Sequence, residues 1–128
     1  MRILLLTQVV PFPPDSGPKI KTYNMLRYLA QRHEVHLASF VRSRDEEASA
    51  SVLQGLCTSV TTVPLRRSRV RDVAHLARSL MTGRPFLIER DRSPAMRHAI
   101  EDLLRRHTFD AVHADQLSMA QFAVALPL

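Results

Sequence analysis

The residues of this chain whose types could do chemistry include three polar side chains in its last sixth, His113, Asp115 and Gln116. A carboxylate can act as a base or bind hydroxyl groups, an amide can bind hydroxyl groups, and an imidazole can orient either group. We predict a catalytic role for Asp115 and His113 and a substrate-binding role for Gln116. The structural alternative is that His113 is an ordinary strand residue and that Asp115 caps a following helix.

A second candidate segment, residues 11–18, joins a predicted strand to a predicted helix and contains Ser16 and Gly17. Because glycine has no Cβ, a phosphate or a sugar can approach the backbone at Gly17, and the amino end of a helix favours negative charge. Lys19 and Lys21, the only lysines of the chain, add positive charge nearby. We predict that these four side chains or backbone positions bind substrate. An ordinary turn would look the same, since one glycine falls short of a GxGxxG fingerprint.

The elements that must position these residues alternate between strands and helices. Apolar and β-branched runs predict strands over residues 2–10, 33–41, 60–64 and 109–114. We therefore predict an α/β fold with a Rossmann-like parallel sheet of order 3-2-1-4 and helices on both faces. In that order the first and fourth strands are neighbours at the topological switch point. The loops that follow them, residues 11–18 and 115–118, should then face each other across one crevice.

Capping residues and apolar spacing predict the helices. Ser43 and Glu46 form a capping box for the helix after the second strand, whose expected inner face is Ala48, Val52 and Leu56. The other helices are predicted over residues 19–31, 70–81, 94–107 and 119–126.

A basic run, Arg66, Arg67, Arg69 and Arg71, precedes the helix predicted over residues 70–81. The apolar stripe of this helix consists of Val70, Val73, Ala74, Ala77, Leu80 and Met81. That stripe either packs on the sheet, which is the default, or rests with the arginines on an anionic membrane surface. A solvated surface is a third outcome for the basic run. Nucleic acid is not expected as a partner, because aromatic interleaving, zinc-finger spacing and an RNP-like strand are missing.

Composition bounds the class of protein. The 128 residues, 45% of them hydrophobic, suffice for one small globular domain. The single Cys57 excludes an internal disulfide, fits a reducing compartment and is a weak candidate nucleophile. No apolar run reaches the roughly 18 residues of a membrane span. The apolar start is also interrupted by Thr7 and Gln8, unlike a signal peptide, so we expect a cytoplasmic protein.

Several segments around the two candidate loops resemble a known family. They are residues 2–7 (RILLLT), 11–17 (PFPPDSG), 34–37 (EVHL) and 109–113 (FDAVH), with Leu26, Leu29 and Ala30 of the first helix. These segments resemble the amino-terminal domain of the family 4 retaining glycosyltransferases, which have the GT-B fold. The continuation at residues 115–122 (DQLSMAQF) is most similar to the sugar transferases associated with PEP-CTERM and exopolysaccharide systems.

The resemblance implies an enzyme that transfers a sugar from a nucleotide-sugar donor to a polysaccharide or glycolipid acceptor, with retention at the anomeric carbon. It implies no required metal, and no cofactor other than the donor as co-substrate. Residues 1–128 would be a partial acceptor-side domain without the nucleotide-sugar domain, and we expect the isolated chain to be inactive. Ser16 and Gly17 would lie near the donor phosphates and the acceptor.

Two positions depart from the family pattern. The family often has two adjacent glycines in the first loop, where this chain has Ser16 and Gly17. Its fourth strand often ends in His-x-His, and the second histidine, which points into the cleft, is replaced here by Asp115. Asp115 and Gln116 therefore inherit that position. Because an ionised carboxylate accepts hydrogen bonds but cannot donate them, we expect an effect on acceptor preference.

Two other functions are compatible with these residues. The first is a non-catalytic α/β binding module that docks on an anionic membrane or partner through its Arg-rich helix. The second, a Rossmann-like dinucleotide enzyme, has less support, because GxGxxG and an acidic residue at the end of the second strand are missing.

Overall fold

In the computed structural model, the described residues are 1–65, 76–78, 80–81, 94–116 and 119–123. They contain four strands, β1 (Arg2–Thr7), β2 (Glu34–Val41), β3 (Ser59–Pro64) and β4 (Ala111–Ala114). Four helices are α1 (Gly17–Ala30), α2 (Arg44–Leu53), α3 (Pro94–Arg106) and α4 (Ala120–Ala123). Residues 76–78 and 80–81 are also helical. No helix among the described residues combines the length and the hydropathy needed to cross a membrane.

The four strands form one parallel sheet of order β3-β2-β1-β4. The central strand β1 pairs with β2 on one side and with β4 on the other, so that Leu5 lies opposite both Leu37 and His113. The predicted order 3-2-1-4 is therefore confirmed, and the chain changes direction between β1 and β4. This is the α/β, Rossmann-like arrangement expected from the alternation of apolar strands and amphipathic helices.

One face of the sheet is covered by α1 and α2. Leu5 and Leu37 from the sheet pack there with Leu26 of α1 and Leu53 of α2, all of them fully buried or nearly so. Burying an aliphatic side chain of this size stabilises a fold by about 1.5–3 kcal/mol. This cluster fixes α1 against the sheet, and with it the loop that leads into α1.

The opposite face is covered by α3 and α4. Leu6 and Phe40 from the sheet pack there with Ile100 of α3 and Phe122 of α4, where the two phenylalanine rings lie 6.2 Å apart. Met96, Ile100 and Leu103 are the buried residues of α3 and lie on one side of that helix at three-and-four spacing. Helices therefore lie on both faces of the sheet, as predicted.

Three strands are shorter than predicted, β1 by three residues, β4 by two and β2 by one. β1 ends at Thr7 instead of residue 10, because the backbone N–H of Gln8 donates to the side chain of Gln116 and not to a neighbouring strand. Val10 is nevertheless buried, which explains why the apolar run continues beyond the strand. β4 begins at Ala111, although Phe109 is buried two residues earlier.

The predicted inner face of α2 is wrong at two of its three residues. The buried residues of the helix are Ala50 and Leu53, whereas Ala48 and Val52 are exposed. Leu56, the third residue of the predicted face, follows the helix and is partly buried against the core. Two apolar stripes of helical spacing coexist in this segment, and Leu53 fits the core cluster on the sheet better than the β-branched Val52. The cap was predicted correctly, since the Ser43 hydroxyl accepts a 3.2 Å hydrogen bond from the Glu46 N–H.

The default packing of the predicted helix 70–81 is also wrong for the stripe residues that the structure describes. Ala77, Leu80 and Met81 are exposed and do not pack on the sheet. Its remaining members, Val70, Val73 and Ala74, lie outside the described residues.

Candidate functional site

The loops after β1 and β4 meet at a cleft of about 300 Å³ on the carboxyl-terminal edge of the sheet. Its polar lining consists of Ser16, Lys19, Thr22, Arg42, Glu46 and Gln116. The lining residues thus come from the loop after β1, the start of α1, the end of β2 and the loop after β4. The predicted crevice at the topological switch point is present between the described parts of the two loops.

Asp115 is held inside the protein at this cleft. Its side chain is only 5% exposed. Oδ2 accepts a 2.5 Å hydrogen bond from the Thr22 hydroxyl and a 2.9 Å bond from the Gln116 side chain. These contacts tie the end of β4 to α1, so the carboxylate is already engaged within the fold.

Gln116 completes the connection between the two loops. Its side-chain oxygen accepts a 2.9 Å hydrogen bond from the Gln8 N–H, just after the end of β1. Its amide nitrogen donates to Asp115. Since one side-chain amide bonds to both loops, Gln116 lines the cleft and fixes its width at the same time.

His113 lies next to Asp115, and neither of these two predicted catalytic residues belongs to the cleft lining. The His113 side chain is 48% exposed, and its Nε2 lies 3.9 Å from Oδ1 of Asp115. That distance is too long for a direct hydrogen bond and allows one through a small movement or a water molecule. Of the two predicted catalytic residues, His113 is the accessible one and Asp115 the buried one.

The start of α1 is open towards the cleft. Ser16 occupies the N-cap position, but its side chain makes no capping hydrogen bond. A Cβ added at Gly17 would meet nothing within 4 Å, so the fold itself does not require a glycine there. The first N–H groups of a helix have no intrahelical acceptor, and they carry its positive dipole end.

The two lysines behave differently. Lys19 lines the cleft, and its Nζ lies 3.5 Å from the Asp15 carboxylate, in an ion pair whose lysine side chain is 25% and whose aspartate side chain is 61% exposed. Lys21 is exposed and does not line the cleft. Solvent-screened ion pairs are weak, so an anion in the cleft can compete with the exposed Asp15 for Lys19.

Arg42 and Glu46 are site residues that sequence analysis missed. Arg42 directly follows β2, and Glu46 lies in the first turn of α2, where its carboxylate accepts a 3.2 Å hydrogen bond from the Arg42 N–H. Among the described residues, no partner is recorded for the Arg42 guanidinium. The carboxyl ends of adjacent parallel strands lie at the same edge of a sheet. The position of Arg42 directly after β2 therefore allowed it to be predicted as a site residue.

Other predicted features lie away from the cleft. The arginines of the basic run, Arg66, Arg67, Arg69 and Arg71, lie outside the described residues. Cys57 is buried, and burial raises the pKa of its thiol to about 11, which disfavours the reactive thiolate. No group of three or more metal-ligating side chains occurs among the described residues.

A separate polar cluster lies in the amino-terminal half of the sheet, below the cleft. The His36 ring is buried, with Nδ1 2.6 Å from the Ser59 hydroxyl and with Nε2 lacking a hydrogen-bond partner among the described residues. His107 and Phe109 pack against it at ring-centroid distances of 4.4 and 5.2 Å. Burial, the largest cause, and the His107 imidazole lower the pKa of His36, so it is neutral at pH 7.

The chemical capacity of the cleft is that of a polar binding site. Lys19, Arg42 and the amino end of α1 attract anions, while Ser16 and His113 offer hydroxyl and imidazole groups that can bond to a sugar.

Comparisons with protein-family models, with curated proteins and with solved structures find no match for this chain. The glycosyltransferase resemblance therefore rests on the sequence segments quoted above, and the described residues show an α/β, Rossmann-like fold.

Proposed function

We propose that this chain is the acceptor-side domain of a retaining glycosyltransferase that takes its sugar from a nucleotide-sugar donor. The observation that carries the proposal is the junction of the β1 and β4 loops, where Gln116 accepts from Gln8 and Asp115 from Thr22. This junction makes one walled cleft at the topological switch point, the position at which open α/β sheets bind ligands.

The charges around the cleft suit the phosphates of the donor or of a lipid-linked acceptor. Lys19 and Arg42 both line it, and the amino end of α1 adjoins it at Ser16 and Pro18. A guanidinium is a good phosphate ligand because its N–H groups match two phosphate oxygens, whereas the lysine ammonium acts as a point charge. The open space above Gly17 admits a phosphate close to the backbone.

The transfer itself breaks the bond between the anomeric carbon and the donor phosphate and forms one from that carbon to an acceptor oxygen. The acceptor hydroxyl must give up its proton during this step. In this proposal His113, which is exposed, accepts or relays that proton, while the buried Asp115 orients His113 and holds the loop. Ser16, whose hydroxyl is not used as a cap, binds a sugar hydroxyl.

Nucleotide release tests the proposal. The protein of the complete reading frame that contains these residues is incubated with uridine, guanosine and adenosine diphosphate sugars and a glycan or lipid-linked acceptor. We expect release from one donor class, and a loss of at least tenfold in kcat/KM for Lys19→Gln and Arg42→Gln, since each removes a charge-assisted phosphate contact. Lys21→Gln is the matched control, because Lys21 is exposed and does not line the cleft.

The opposite results reject the proposal. If Lys21→Gln lowers turnover as much as Lys19→Gln, the phosphates do not bind in this cleft. If the folded protein releases nucleotide from no donor while an acceptor is present, the non-catalytic binding module becomes the better description.

A further inference from the structure

The Asp115 carboxylate is held through one of its two oxygens. Oδ2 accepts hydrogen bonds from the Thr22 hydroxyl, at 2.5 Å, and from the Gln116 side-chain amide, at 2.9 Å. The Asp115 N–H donates a 3.0 Å bond to the Leu6 carbonyl oxygen, so the backbone here is fixed to β1. Among the described residues no hydrogen bond is recorded for Oδ1, which lies 3.9 Å from Nε2 of His113. The orientation of the carboxylate therefore decides which group the His113 ring meets.

Thr22 contributes more to this arrangement than its own hydrogen bonding requires. A hydroxyl group donates one hydrogen bond, and Thr22 has two acceptors within reach. The Pro18 carbonyl oxygen, one turn earlier in α1, lies at 3.0 Å, as is common for a threonine within a helix. The Asp115 oxygen is nearer, at 2.5 Å. Thr22 has an acceptor for its proton inside α1, whereas Asp115 depends on Thr22 for one of its two side-chain donors.

We propose that Thr22 is a positioning residue of this site. Its hydroxyl sets the orientation of the Asp115 carboxylate, and Asp115 in turn orients the ring of His113. Thr22 lines the cleft, whereas Asp115 and His113 do not, so the contacts from Thr22 through Asp115 connect the cleft with His113. The inference rests on the proposed function, in which His113 accepts or relays the proton of the acceptor hydroxyl.

A purely structural role of Thr22 makes different demands on this residue. If Thr22 only stabilises the fold, its replacement lowers the fraction of folded protein and leaves the kcat of the folded molecules unchanged. If Thr22 positions Asp115, the hydroxyl is needed for kcat and the methyl group is not. Valine keeps the shape of threonine without its hydroxyl, and serine keeps the hydroxyl without the methyl group. The two substitutions therefore separate the two roles.

Steady-state nucleotide release by the protein of the complete reading frame measures the effect on turnover. For Thr22→Val we expect kcat per folded molecule to fall at least tenfold, with the KM values of donor and acceptor within about twofold of the wild type. Thr22→Ser should restore kcat to within about threefold of the wild type, because it keeps the hydrogen bond. Thr7→Val is the matched control and should keep the wild-type kcat. Thr7 is a buried threonine as well, and its hydroxyl has no partner in the part of the chain that the structure describes.

The imidazole resonance of His113 reports on the same contacts without any substrate. NMR of protein with isotope-labelled histidine observes this resonance, and its loss in His113→Gln assigns it. We expect the resonance to shift in Thr22→Val and to keep its wild-type position in Thr22→Ser and Thr7→Val. Circular dichroism establishes that each variant is folded under the conditions of both measurements.

Three results overturn the inference and leave the proposed function intact. The first is a wild-type kcat of folded Thr22→Val, and the second is an equal loss of kcat in Thr22→Ser and Thr22→Val. The third is a His113 resonance that does not move in Thr22→Val. A wild-type protein that releases nucleotide from no donor gives a different pattern, since the proposed function then fails and the inference fails with it.

Discussion

The Thr22 hydroxyl donates a 2.5 Å hydrogen bond to Oδ2 of Asp115, and this contact joins α1 to the end of β4 across 93 residues of sequence. Thr22 is 2% exposed, and the Asp115 side chain is 5% exposed. A carboxylate buried to this degree must be hydrogen-bonded, because an uncompensated buried charge is strongly destabilising. The pair is therefore part of the framework that holds the cleft open between the two loops.

For two buried threonines, the same substitution by valine should change the free energy of unfolding in opposite directions. The Thr22 hydroxyl bonds to Asp115, whereas the hydroxyl of Thr7, also buried, has no hydrogen-bond partner among the described residues. We expect Thr22→Val to lower the free energy of unfolding by about 1.5–3 kcal/mol, since it leaves a charged acceptor short of a donor. Thr7→Val should raise it by roughly 0.5–1 kcal/mol, because it removes an unsatisfied hydroxyl at nearly constant volume.

Urea unfolding followed by circular dichroism measures both changes, with each variant compared at pH 7.5. The two variants carry the same chemical substitution at residues of equal burial, so each serves as the control of the other. A loss of stability of the same size in both would show that packing, and not hydrogen bonding, decides the effect.

The sequence predicts those parts of the site that follow from local patterns, and it misses contacts between residues that are far apart in the chain. The order of the sheet follows from the alternation of apolar strands with helices, and it places the loops after β1 and β4 together. The contact between Thr22 and Asp115 has no local signature, because the two residues are far apart in sequence. The sequence could have predicted Arg42 as a site residue, since it directly follows β2 at the same edge of the sheet. The inner face of α2 was ambiguous, because Val52 and Leu53 both belong to apolar stripes.

The buried His36 predicts a loss of stability at acid pH. Its pKa in the folded protein is lowered by burial, by His107 and, to a lesser degree, by Arg2, against an opposing effect of Glu34. The unfolded chain, with a histidine pKa of about 6.5, therefore binds more protons than the folded protein below that pH. Neutral His36 makes its full contribution to the free energy of unfolding above about pH 6.5. That contribution is lost as the pH falls towards the lowered pKa.

Urea midpoints at pH 7.5, 6.5 and 5.5 measure this loss. We expect a shallower decline for His36→Gln than for the wild type, because the variant has no proton to take up at this position. His98→Gln is the control, since His98 is 81% exposed on α3, and it should keep the wild-type slope. Equal slopes in all three proteins would contradict the assignment to His36.

Cys57 should be inert in the folded protein. Its thiol is 7% exposed and its pKa is raised to about 11, so that only about one molecule in a thousand is a thiolate at pH 8. We expect reaction with a disulfide reagent such as DTNB to be at least a hundredfold slower than that of glutathione at pH 8. In guanidinium chloride the rate should rise to that of glutathione, and a fast reaction of the folded chain would show that Cys57 is accessible.

Replacing Gly17 by alanine tests whether the fold or a bound ligand requires a glycine at this position. A Cβ at Gly17 meets no atom within 4 Å, and one at Gly55 meets only the Val52 carbonyl oxygen, at an ordinary 3.8 Å. Replacing either glycine by alanine should leave the free energy of unfolding unchanged or raise it by about 0.4–1 kcal/mol, because the unfolded chain loses freedom. In nucleotide release by the complete protein, Gly17→Ala should lower kcat/KM while Gly55→Ala, which is remote from the cleft, should not. Full turnover of a stable Gly17→Ala variant would mean that no substrate group approaches the backbone at the start of α1.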